Sequence, residues 1–147
     1  MKFQNSAHRG RWMMSSTSHS LRSEAEHSYD SVLWFDAESA AGVRFAIARL
    51  TFGRRLELAR RVREIGRKAE FLAAGTDARE KLEAAVVGAE VDRAYLEWGL
   101  LAVEGLVIDG EAATPGTVVE KGPLALAAEI LRRVKAECGL SEIERKN

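Results

Sequence analysis

A chain of 147 residues with 46% hydrophobic and 30% charged content has the composition of one soluble globular domain with its own core. Twenty-two basic residues balance twenty-two acidic ones, so the whole chain carries no bias toward polyanions. The single cysteine, Cys138, excludes an internal disulfide, and no apolar run nears the roughly 18 residues that a membrane span requires.

Residues 1–28 are rich in Ser, His and Arg without a hydrophobic period, and a disordered tail is expected there. Its basic residues are followed by no apolar stretch, so it does not read as a signal peptide and a cytosolic protein is expected. Met13 and Met14 lie within it as alternative starts. The histidines His8, His19 and His27 all fall in this tail at irregular spacing, and neither a metal nor a cofactor is expected.

The first apolar cluster is Val32–Phe35. After the turn "DAESAAG", Val43, Phe45 and Ile47 alternate with Arg44, Ala46 and Ala48. Alternation is the mark of a half-buried strand, so a β-hairpin is predicted over about 31–50, with Trp34 and Phe35 anchoring it to helices. A lone hairpin is marginal in water and must lie against something apolar. Leu58, Val62, Ile65, Ala69 and Leu72 recur at spacings of four and three, predicting a helix over about 54–74 with Gly75 as its C-terminal cap.

Asp77 and Glu80 form a capping-box pattern, and a second helix is predicted over about 77–104. It carries two apolar stripes. Leu82, Val86, Ala89, Leu96, Leu100 and Val103 lie on one, and Val87, Val91, Tyr95 and Trp98 on the other. Such a helix is either covered on both sides or covered on one and open to a partner on the other. Tyr95, Trp98 and Leu101 are the candidate partner-binding residues. Leu106–Ile108 and an Asp-Gly turn then break the chain. Thr114 with Pro115 opens a short helix over about 115–121. Pro123 opens the last, over about 123–138, in which Leu126, Ile130, Val134 and Cys138 share a face before Gly139 closes it. The predicted fold is mainly α: one helical domain over residues 29–147 with an N-terminal β-hairpin.

No Gly-rich phosphate loop, no HExxH pattern and no nucleophile with a histidine outside the tail is present, and an enzyme is not expected. Charge is segregated instead. Residues 42–68 hold nine basic residues against Glu57 and Glu64, a net of +7. Residues 70–120 hold eleven acids against Arg79, Lys81 and Arg93, a net of −8. One reading is an Arg-rich segment, 44–68, that grips nucleic acid phosphates. A second is structural: the basic helix packs antiparallel beside the acidic one, as a short connection requires, and their rims pair. The acid-rich neighbour would repel DNA, so nucleic acid is not an expected partner. A third reading shares one charge field with another protein or another copy of the chain.

The stretches "VRFAIARLTFGRRLELARRVRE", "DRAYLEWGLLAVEGLVIDGEAATP" and "GPLALAAEILRRVKAECGLSEIERKN" resemble the tail assembly chaperones of long-tailed bacteriophages and prophages, over roughly residues 31–147. The resemblance implies a non-enzymatic protein of the host cytoplasm that binds the tape-measure protein, keeps it soluble and helps recruit tail-tube subunits. It also implies absence from the mature virion, where a structural component would instead be found. In that family a fraction of ribosomes shifts frame near the end of the gene. Ser141 and Glu144 make a capping box with only three residues after it, and Arg145-Lys146-Asn147 is encodable as A-AAA-AAC, a slippery sequence. A helix completed only in a longer product is the expectation that follows.

Overall fold

The computed structural model describes residues 26–73 and 77–139, with the side chains of 68–69 and 72–73 left aside. The expectations for residues 1–25, for Gly75 as a cap and for the Ser141–Glu144 capping box lie outside the described residues. In chain order the elements are β1 (Val32–Asp36), β2 (Arg44–Ala48), α1 (Phe52–Ala73), α2 (Ala78–Gly99), β3 (Leu100–Glu104), β4 (Val107–Ile108), β5 (Glu111–Ala112), α3 (Pro115–Lys121) and α4 (Leu124–Glu137). Among the described residues no helix is long and apolar enough to cross a membrane.

The predicted hairpin forms, with Trp34 opposite Ala46 and Phe35 opposite Phe45. Gly42 turns the chain at φ +79, and the Ala37 N–H closes the loop onto the Val43 carbonyl at 2.8 Å. What the mainly α expectation lacked is a third strand. The helix predicted to run to residue 104 stops at Gly99, and Leu100–Glu104 pairs antiparallel with β2 in a sheet ordered β1-β2-β3. The fold is therefore mixed α/β.

Two physical causes redirect the chain there. The free edge of β2 carries N–H and C=O groups that burial leaves unpaired unless a strand supplies partners. At the junction, Gly99 packs so closely on α4 that a Cβ would lie 2.5 Å from Val134 Cγ2. Leu100 and Val103 then meet Ile47 and Phe45 across the sheet, and Leu101 is the extra residue where the register shifts. Nothing in Leu100–Val103 distinguishes a wet face from a dry one, so helical and strand periods fit it equally.

After β3, Asp109 and Gly110 both take positive φ, 51° and 81°, in the two-residue turn that joins β4 to β5. The Thr114 side chain accepts from the Thr117 N–H and opens α3 with Pro115 in its first turn, as predicted. Pro123 precedes α4, and Gly139, at φ +75, follows its last turn.

Phe45, Ile47, Val118, Leu126, Ile130 and Val134 are the large side chains sealed most completely, joined by Leu96, Trp98 and Leu100 in one cluster between the sheet and α2, α3 and α4. Each such side chain contributes on the order of 1.5–3 kcal/mol by leaving water. Phe35 reaches that cluster and stacks on Phe45 at 5.7 Å. Trp34 does not anchor the hairpin as expected. The pleat sends it to the opposite face of β1, where it stays exposed under the Arg44 guanidinium, 5.2 Å from its ring centroid.

One buried charge ties the hairpin to the helices. The Glu129 carboxylate, on α4, accepts from the backbone N–H groups of Glu38 and Ser39, both at 2.9 Å, and from Ser39 Oγ at 2.6 Å. Burial pushes this carboxyl upward. The Ser39 hydroxyl, the two N–H donors and the charge of Arg132 outweigh burial and hold it below the usual carboxylate range.

Candidate partner-binding surface

Leu58, Val62 and Ile65 bring α1 against α2, which answers with Val87, Val91, Ala94 and Trp98. The two helices, 22 residues each, run antiparallel: Arg54 at the start of α1 donates from Nη2 to the Trp98 carbonyl at the end of α2, 2.8 Å away. This contact places a cation at the negative end of α2, whose last turn has no basic residue of its own. At 1.5 Å per residue each helix extends for about 33 Å.

Of the three candidate residues, two belong to the core. Trp98 is 4% exposed beneath the Arg54 guanidinium, and Tyr95 is 9% exposed beside Lys135. Both sit on the stripe of α2 that meets α1 and α4, so neither is free to receive a partner. Burial, then the neighbouring Cys138 and Asp92, pushes the Tyr95 hydroxyl above its ordinary range. Burial also pushes the Cys138 thiol up to about 11, aided by Glu137, which leaves it protonated and unreactive near neutrality. Leu101, at the bulge of β3, is 38% exposed and the one member of the trio at the surface.

The open apolar surface lies on the other stripe of α2. Leu82 is 68% and Val86 55% exposed, and Ala85 and Ala89 beside them are exposed too. Further along the same stripe Leu96 enters the core cluster with Val118 of α3. One apolar stripe is thus covered by the chain's own body at its C-terminal end and bare at its N-terminal end. Phe71, 83% exposed in the last turn of α1, adds a bare aromatic at the same end of the helix pair.

The expected pairing of charged rims between α1 and α2 does not occur among the described residues. Acids of α2 bond elsewhere: Glu83 to Arg79, Glu97 to Arg93 and Asp92 to Lys135 of α4 at 2.5 Å. Arg93 also reaches Glu120 of α3. The reason is geometric. Arg60, Arg63 and Arg67 stand on the side of α1 opposite Leu58, Val62 and Ile65, and so point away from α2.

No group of three His, Cys, Asp or Glu side chains among the described residues is arranged to hold a metal ion. Comparison of the chain with protein-family models, with curated proteins and with solved structures finds no match in any of the three. Arg60, Arg63 and Arg67 belong to the Arg-rich segment 44–68, and spacing alone sets them in one row with Phe71. The stripe through residues 82, 86 and 89 follows from spacing, but which end of it stays bare depends on where α3 packs.

Proposed function

We propose that the protein is a non-enzymatic assembly chaperone of the long-tailed phage kind, which binds the tape-measure protein, keeps it soluble and helps recruit tail-tube subunits around it. The observation that carries this reading is the bare apolar stretch of α2, Leu82 and Val86 with Ala85 and Ala89, on a helix pair whose other apolar stripe is already used. Exposed apolar surface of this kind marks an association site. A client helix laid along it would bury its own apolar face in the same step, which is helix-in-groove capture. Charged rims on either side keep such a complex soluble and set its orientation. The small Ala85 and Ala89 beside Leu82 and Val86 admit close approach of a second helix. On this reading the protein works in the host cytoplasm and leaves before the virion is complete.

Co-expression with a tape-measure protein tests it. The chain should co-purify with that protein and hold it in the soluble fraction, while the variant L82E/V86E, folded by circular dichroism, should lose both effects. Equal capture by the variant would rule out the α2 stripe, and recovery of the chain from purified virions would rule out a transient chaperone.

A further inference from the structure

A second surface of α1 has a chemistry of its own. Leu56, Arg60, Arg63, Arg67 and Phe71 follow one another at spacings of four and three, and therefore form a single row along the helix. All five are exposed. Arg60, Arg63 and Arg67, with Glu64 at their side, line a shallow depression. Although nine salt bridges join other described residues, none involves these three arginines, and Glu64 at i+4 from Arg60 does not pair with it. Three guanidinium groups in line, about 10 Å from first to last, thus form no ion pair with any described residue.

We infer that this row docks an acidic amphipathic helix of a partner protein, its carboxylates on the arginines and its apolar residues on Leu56 and Phe71. Three features favour that occupant. Guanidinium groups match carboxylates as planar forks, so a row of arginines, where lysines would give only point charges, suits discrete paired acids. Spacing of three and four is the spacing at which a second helix presents its own side chains, so acids at i, i+3 and i+7 meet all three arginines in register. Finally, the row is closed by a leucine at one end and a phenylalanine at the other. A helix with apolar residues flanking its acids covers both, whereas a phosphate backbone covers neither. This site is separate from the α2 stripe, and its occupancy does not depend on what that stripe binds.

The test uses the full chain and three probes in a fluorescence-anisotropy titration: a helical peptide with Glu at i, i+3 and i+7 flanked by Leu, the same peptide with Gln for Glu, and a short single-stranded oligonucleotide. The Glu peptide should bind, weaken with added salt, and bind at least about tenfold less well to R60E/R63E/R67E, because like charges then face each other. R60K/R63K/R67K should fall between the two, and L82E/V86E should bind like the parent chain. Since the three arginines form no ion pair with a described residue, the reversal variant should keep its circular dichroism spectrum. Absence of Glu-peptide binding, equal binding of the Gln peptide, or indifference to the charge reversal would overturn the inference. Tighter binding of the oligonucleotide than of the Glu peptide would overturn it too, and would assign the row to nucleic acid.

Discussion

The body of the molecule and its α1–α2 helix pair use the same residue types to opposite ends. In the body, every third or fourth residue of α4 is spent on the core, with Leu126, Ile130 and Val134 all sealed. In α1, only Leu58 among the described side chains is buried, and α1 packs mainly on α2. Yet α1, with 22 residues, is longer than α4, with 14. Length without burial is a poor way to stabilise a domain, since helical stability in proteins comes chiefly from tertiary packing. The difference teaches that burial is concentrated in the body, whereas α1 and the first half of α2 keep most of their described side chains in water.

That contrast is open to measurement, beginning where the effect is largest. Phe45→Ala removes a fully buried ring between the sheet and the helices, and urea denaturation should show a loss of about 3–5 kcal/mol. A loss below about 1 kcal/mol would mean that the sheet is not the centre of the cooperative unit.

The Glu129 contact sharpens the body's side of the comparison. Glu129→Gln keeps the shape but puts an amide N–H₂ where an oxygen accepted, and should cost about 1.5–3 kcal/mol at neutral pH. The pH dependence has a defined sign. Because the folded carboxyl titrates below its unfolded value of about 4.3, its contribution is present above that pH and is lost as pH falls through the folded value. Acid titration of the parent chain should therefore show a fall in stability below about pH 4.3 that is shallower in Glu129→Gln. Parallel curves would assign the acid sensitivity to other groups.

The smallest expected effect falls on the helix pair. Leu82→Ser and Val86→Thr should each change stability by no more than about 0.5 kcal/mol, because both side chains already stand in water. A cost of about 2 kcal/mol for either would show that the stripe is covered within the folded chain, and the contrast between body and helix pair would fail.

Local chemistry read directly from the chain gave reliable elements where a strong terminator bounded them. Thr114-Pro115 and Gly122 delimit α3, and Pro123 with Gly139 delimits α4, at the predicted positions. The alternating Val43–Ile47 run became β2, but Ala46 and Ala48 are buried along with Phe45 and Ile47, so the strand is covered on both faces where alternation predicts a half-buried one. The failures share a different origin. Leu100–Val103 carries apolar residues that satisfy either period, and only the vacant edge of β2 and the close approach of Gly99 to Val134 turned it into a strand. Tyr95 and Trp98 lie on a second apolar stripe of α2, and spacing alone leaves open whether a partner or the chain's own body covers it. Their burial depends on where Arg54, Lys135 and Leu58 arrive from distant parts of the chain.

By itself, then, the order of residues determined the places of the four helices, the first hairpin, the lack of a membrane-spanning helix among the described residues and an excess of apolar surface on α2. Tertiary structure decided which part of that surface is bare, that a third strand completes the sheet, and that the α1 arginines turn away from the acids beside them. The division has a physical cause. Periodicity and capping are local and act within a few residues, whereas burial and charge pairing are properties of whatever a side chain meets across the fold, and no spacing along the chain encodes the partner.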